Sequence, residues 1–243
     1  MIPITHPRYR SLVTRERLAS YTKTGIVSLE GLTAHGRGEA FDYLLGEETT
    51  ESALRAEKVA AALLLSASHP VISVNGNTAA LAAQEIADLQ RASHARVEVN
   101  LFHRTDERVE AISRLLQEHG ITLVEGTVSR YIPLDHDRGL CHSDGMYAAD
   151  VILVPLEDGD RAQALIQMGK KVIAIDLNPL SRTSRVATVP IIDEVTRALP
   201  NITRFCTELS PEDLSTLTEE IVGTGFIRDA LEYIRRRLSN VLD

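Results

Sequence analysis

The chain has 243 residues, 34 acidic against 26 basic, and a formal net charge of −8. That length is ample for a sizeable core, and the acidic balance argues against a nucleic-acid protein, whose affinity comes from basic patches that neutralise phosphates. Its two cysteines, Cys141 and Cys206, have neither metal-type nor redox-type spacing, so they read as small, partly buried residues in a reducing compartment.

No apolar signal core opens the chain and no run of roughly 18 apolar residues interrupts it, which predicts a cytoplasmic protein that makes no membrane contact. From His6 to Ser20 the pattern suits a helix with Pro7 in its first turn and Arg8 and Arg15 on one face, and Gly25 reads as its stop. Gly36 and Gly38 then bracket Arg37, and a helical pattern follows. This predicts a backbone-crowded loop leading into a helix N-terminus that favours anions. His35 beside it is either catalytic or a hydrogen-bonded structural histidine. Thr49 or Thr50 caps an Ala-rich helix to Leu65, whose stripe of Ala53, Ala56 and Ala60 permits close packing.

From Val71 onward strands alternate with helices, the pattern of an α/β fold whose mainly parallel sheet carries helices on both faces. The strands expected are Val71–Val74, Val97–Val99, Ile121–Val124, Val151–Val154, Val172–Ile175 and Val189–Ile192, with helices running to about Arg91 and from Asp106. This makes one domain, 1–243, with an N-terminal helical segment 1–66, an α/β core 67–200 and C-terminal helices 201–243. Gly126 to Ala149 is irregular and long enough to be a functional loop or flap. Two helices are expected after Pro200, the last with Ile227, Leu231, Ile234 and Leu238 as its packing stripe.

The strands end in amides or carboxylates: Asn75, Asn100, then Glu157 with Asp158 and Asp160, Asp176 and Asp193. Each alone is explained as a turn or a helix cap. Together they line one sheet edge with polar groups, as a site for a polar substrate requires. At Asp176 the apolar run Val172–Ile175 stops, and Asn178, Ser181, Arg182 and Thr183 follow. An acid there suits ribose hydroxyls, while Arg182 and Thr183 offer a guanidinium fork and a hydroxyl to phosphate oxygens; a solvated loop with a helix cap is the alternative. No strand precedes a Gly-x-Gly-x-x-Gly, which disfavours a redox dinucleotide protein.

Five strings carry a resemblance: His6-Pro-Arg-Tyr9, Ala34-His-Gly-Arg-Gly-Glu-Ala-Phe-Asp-Tyr43, Pro70-Val-Ile-Ser-Val-Asn-Gly-Asn77, Val154-Pro-Leu-Glu-Asp-Gly-Asp-Arg161 and Ile175-Asp-Leu-Asn-Pro-Leu-Ser-Arg-Thr183. In that order they closely resemble the archaeal phosphopantothenate synthetases, the 4-phosphopantoate:β-alanine ligases. The resemblance implies a Rossmann-like homodimer of coenzyme A biosynthesis that joins 4-phosphopantoate to β-alanine. ATP would be the co-substrate, with Mg²⁺, and would be converted to AMP and pyrophosphate through an acyl-adenylate. It places nucleotide contacts on Arg15, Arg37, Asp176, Leu177, Asn178, Arg182, Thr183, Glu194 and Val195. Arg15, Arg37 and Arg182 are then the cations set against the clustered negative charge, with Arg37 and Arg182 the catalytic candidates. The strand-end residues Asn75, Asn100, Glu157, Asp158 and Asp160 are left for substrate, the three acids for a metal or for the ammonium of β-alanine. No residue set suggests a dedicated metal cage.

One departure shows. Asp193-Glu194 stands where the family usually has Asp-Asn, and an acid in place of an amide adds charge and removes two donors. An acidic chain that gathers arginines at one polar edge also predicts more positive charge than a nucleotide needs, and therefore a second phosphate in the site. The competing function class is a nucleotide-binding regulatory protein that never turns over.

Overall fold

Five short strands form a parallel sheet in the order β2-β1-β5-β6-β7, where β1 is Pro70–Val74, β2 Arg96–Val99, β5 Val151–Pro155, β6 Lys171–Ile175 and β7 Val189–Ile191. This computed structural model describes residues 2–156, 158–219, 221 and 223–240. Side chains alternate across the sheet with the strand period of two. Ile72, Val74, Leu153, Ile173, Ile175 and Ile191 enter one cluster with α3 (Glu51–Ser66), α4 (Gly76–Ser93), α5 (Asp106–Glu118) and α8 (Val195–Glu208). Val71, Ile152, Val154, Val172 and Ala174 enter a second with α6 (Gly159–Gln167). Both faces are covered, which is why β5 and β6 carry unbroken apolar runs, Val151–Val154 and Val172–Ile175. Fully burying a side chain such as Leu63 or Ile86 is worth about 1.5–3 kcal/mol, and the small residues Ala56, Ala60 and Ala83 among them let the helices come close.

The alternation of elements is as expected, and several details differ. The first helix, α1, is Tyr9–Thr22, with Pro7 in the turn before it, and Gly25 follows with φ 76°. The second, α2, is Leu29–Leu45: Ser28 caps it by accepting from Gly31 N, and Gly46 closes it with φ 91°. Gly36-Arg37-Gly38 therefore lies inside a helix, not in a loop before one. Strong caps at both ends outweigh interior glycines that cost about 1 kcal/mol each. Ile121–Val124 forms only an isolated parallel bridge, Leu123 to Val97, at the outer edge of β2. The segment 126–149 contains a two-stranded antiparallel ribbon, β3 (Val128–Arg130) with β4 (Leu140–His142), and anchors Ile132, Cys141 and Met146 in the second cluster.

Pro200 sits within α8 rather than before the last helices, which are α9 (Pro211–Glu219) and α10 (Gly223–Ser239). The predicted α10 stripe also splits. Ala230 and Ile234 pack with Leu45, Leu177 and Ile192, whereas Leu231 and Leu238 are 37% and 56% exposed. No helix among the described residues is long and apolar enough to cross a membrane.

Candidate active site

From β1 the chain winds outward to β2 on one side and through β5, β6 and β7 on the other, so the winding reverses between β1 and β5. Sheets of this kind bind ligands outside the carboxyl ends of their strands at that reversal. A cavity of about 810 Å³ lies there, lined by the segments after β1, β2, β5, β6 and β7 and by α2.

Asn75 fixes the frame. As N-cap of α4 its Oδ1 accepts from Thr78 N at 3.0 Å, and its Nδ2 donates to the Pro155 and Leu156 carbonyls, each at 3.0 Å. It lines the cavity, but its amide is committed to tying β1 to β5. Asn100 is fully buried, donates to the Leu140 carbonyl at 2.8 Å and lies outside the lining. Its amide is satisfied within the protein. Asp158 lines the cavity and accepts from Arg138 Nε at 3.0 Å, and its side chain makes no cap bond to α6. Asp160 is drawn away to His136, with Nε2 at 2.9 Å, and is not in the lining. Glu157 lies outside the described residues.

The β6–β7 end gathers most of the expected nucleotide set: Arg37, Asp176, Leu177, Asn178, Arg182, Thr183, Glu194 and Val195 all line the cavity. The Asp176 carboxylate accepts from Asn178 N at 2.9 Å, and burial pushes its pKa upward. Ser181 caps α7 (Arg182–Val186) by accepting from Ser184 N at 3.0 Å, and Arg182 donates to Gln163 Oε1 at 2.6 Å. Gly159 admits this arrangement, since a Cβ there would stand 2.6 Å from Arg182 Cβ. Glu194 caps α8, accepting from Thr196 N at 2.7 Å and from the Thr196 hydroxyl, and burial raises its pKa. A carboxylate oxygen of Glu194 thus supplies the acceptor for the first turn of α8.

Arg15 stays apart. Its Nε meets Glu39 Oε2 at 2.8 Å, it is 44% exposed, and it is not in the lining. The α2 helix that carries Glu39 and Arg37 is held by an ion network: Arg197 reaches Asp42 Oδ1 at 2.6 Å and Asp193 Oδ1 at 2.7 Å, and Thr49 donates to Asp193 Oδ2 at 2.6 Å.

Sequence reasoning missed Arg108, Arg138, His103 and Asn77, all of which line the β1–β2 end. Arg108 lies on α5 and Arg138 in the short 3₁₀ turn Asp137–Gly139, positions at which a charge is ordinarily solvated and no motif marks it. His35 also lines the cavity; its Nε2 is buried with no hydrogen-bond partner, and burial lowers its pKa, so the ring is neutral at pH 7. The lining among the described residues holds Arg37, Arg108, Arg138 and Arg182 against Glu30, Asp158, Asp176 and Glu194. The expected cationic surplus is therefore replaced by a balance of four arginines and four acids, two of each sign toward either end of the cavity.

Among the described residues no three His, Cys, Asp or Glu side chains converge as a metal site. A Mg²⁺ carried on nucleotide phosphates keeps most of its waters and needs only one or two protein carboxylates, which the acids of this lining fit.

Residues 52–237 match the model of the phosphopantothenate/pantothenate synthetase family. The chain is 85% identical to the 4-phosphopantoate--beta-alanine ligase of Methanospirillum hungatei, over the whole of both chains. It is 55% identical to the ligase of the same name from Methanosarcina mazei over 90% of this chain and 87% of that one. To that of Thermococcus onnurineus it is 47% identical, over 100% and 95%.

Proposed function

The chain belongs to the phosphopantothenate/pantothenate synthetase family, and from that membership we propose how its cavity condenses 4-phosphopantoate with β-alanine at the expense of ATP. The full-length identity to named ligases carries the activity, and the competing reading as a regulatory module that never turns over has no support. The observation that carries the site is the gathering of Arg37, Asp176, Asn178, Arg182, Thr183 and Glu194 around one cavity at the winding reversal.

In this reading ATP lies over the carboxyl ends of β6 and β7. Asp176 accepts from the ribose, Leu177 and Val195 supply apolar contact, and Arg37 from α2 and Arg182 from α7 neutralise the triphosphate. Attack by the pantoate carboxylate on the α-phosphorus forms the acyl-adenylate and releases pyrophosphate. Both reactants are anionic, so positioned guanidiniums lower the barrier most where charge builds on the departing phosphates. Asp158 and Asp176 are the lining carboxylates that would hold a phosphate-bound Mg²⁺, which would supply further charge neutralisation there. The amine of β-alanine then attacks the acyl carbon as the free base, AMP leaves, and the amine's proton passes to water or to a neutral base lining the cavity.

We place the reaction in the cytoplasm, which the free cysteines Cys141 and Cys206 suit. A homodimer is also proposed; the exposed Leu231 and Leu238 on α10 are apolar surface that a second copy would cover. Sedimentation velocity tests that assembly. The reaction itself is tested by incubating the purified protein with ATP, 4-phosphopantoate and β-alanine. AMP and pyrophosphate in equal amounts are expected, and ADP in their place would remove the acyl-adenylate route.

A further inference from the structure

The two ends of the cavity differ in kind. The β6–β7 end is taken by the nucleotide in the reading above, and β5 alone separates it from β1, a gap of about 10 Å between β1 and β6. At the β1–β2 end stand Arg108, Arg138 and His103, which that reading does not use. Arg108 reaches back from α5 and is held by uncharged acceptors: its Nε donates to the Gly25 carbonyl at 2.9 Å, its Nη2 to the Ile26 carbonyl at 3.2 Å and its Nη1 to the His103 carbonyl. Carbonyls orient a guanidinium without cancelling its charge. Arg138 is positioned by the Asn100 carbonyl, which accepts from its Nη1 at 2.7 Å, and by Asp158. The two guanidiniums are close enough to repel each other; the acid near Arg108, Glu30, is solvent-exposed on α2, and Asp158 pairs with Arg138.

Backbone geometry adds to this concentration of charge. A Cβ on Gly76 would stand 3.3 Å from Arg108 Nη2 and 2.1 Å from the Ile26 carbonyl oxygen, so Arg108 faces the first turn of α4. The N–H groups of Gly76 and Asn77 in that turn have no intrahelical acceptor, and the helix dipole there favours an anion. Two orienting arginines beside a helix N-terminus make a site for a compact dianion. Leu101, Phe102 and Leu156 line the space between this end and β5, giving apolar surface to a branched carbon chain.

We propose that Arg108 and Arg138, with the first turn of α4, bind the 4-phosphate of phosphopantoate, and that Arg108 sets the preference for the phosphorylated acid over free pantoate. The inference rests on the ligase reading. The phosphate is then a handle remote from the reaction, and its carboxylate points across β5 toward the α-phosphate of ATP. A site whose guanidiniums are already oriented toward a dianion gains their attraction only from the phosphorylated acid, and the analogue that lacks the phosphate forfeits it.

The test is the Arg108→Gln variant, assayed for AMP release with 4-phosphopantoate and with pantoate, alongside calorimetric titration with a non-hydrolysable ATP analogue. The specificity constant for 4-phosphopantoate should fall on the order of 100-fold, with nucleotide affinity within about twofold of wild type. That for pantoate, low from the start, should barely change, so the discrimination between the two acids should collapse. Arg108→Lys should recover part of it. Independently of any variant's folding, inorganic phosphate should inhibit the wild-type enzyme competitively against 4-phosphopantoate and not against ATP. Loss of nucleotide affinity with phosphopantoate use intact, or phosphate competing with ATP alone, would overturn the proposal and leave the ligase reading standing. A wild-type protein that releases no AMP would instead overturn the ligase reading, and this inference with it.

Discussion

Glu57 offers a prediction whose size follows from its surroundings. It is fully buried on α3 beside Asp193, neither of its carboxyl oxygens makes a well-formed hydrogen bond, and burial followed by the Asp193 charge pushes its pKa up to about 9. In the unfolded chain the group titrates near 4.5. The native state therefore keeps a proton that the unfolded chain releases. Below about pH 4.5 both states are protonated and the group costs nothing, and as pH rises toward about 9 stability is lost at about 1.4 kcal/mol per pH unit. The full shift would amount to about 3 kcal/mol at pH 7, an upper bound because the Asp193–Arg197–Asp42 network can adjust. Glutamine has the same shape, never ionises and keeps an N–H₂ to offer Asp193. Glu57→Gln should therefore be more stable than wild type by on the order of 1–3 kcal/mol near pH 7.5, with the difference vanishing near pH 4.5. Urea unfolding followed by circular dichroism at both pH values measures it. An equal difference at the two would refute the reasoning, because packing does not titrate. AMP release should be unaffected, since Glu57 lies outside the cavity lining.

Arg37→Ala removes an exposed guanidinium from α2 and should leave the melting temperature unchanged, while kcat/KM falls by a factor equivalent to about 2–4 kcal/mol. AMP formation near the wild-type rate would remove Arg37 from the triphosphate site. Asp176→Ala should raise KM for ATP and leave kcat at saturation largely intact, because a ribose contact is present in ground and transition states alike. Steady-state titration with ATP decides, and a large loss of kcat at unchanged KM would contradict the role. Gly76→Ala drives a Cβ to 2.1 Å from the Ile26 carbonyl oxygen, so the loop and α4 must part. A loss of about 1–3 kcal/mol is expected in urea unfolding, with phosphopantoate binding weakened more than nucleotide binding.

Much of this protein was legible in its sequence because the signals are local. Unbroken apolar runs at 151–154 and 172–175, and the β-branched run at 71–74 broken only by Ser73, read as strands covered on both faces, and alternation with helices makes the sheet parallel. The residues after 175 fall past a strand end whatever the packing, so Asp176, Arg182 and Thr183 reach the cavity as expected. Caps decided what glycine alone did not: Ser28 and Gly46 bracket a helix across Gly36 and Gly38, and a loop had been the natural reading of those two residues. Only the tertiary structure could separate Asn100, buried away from the cavity, from Asn75 and Asp158, which line it, since all three are polar residues after a strand. It alone sent Arg15 to Glu39 between α1 and α2 and brought Arg108 and Arg138 to one end of the cavity from elements that no motif links. Charges distant in sequence meet only when the sheet and its crossovers fix where each loop returns, and no local pattern encodes that distance.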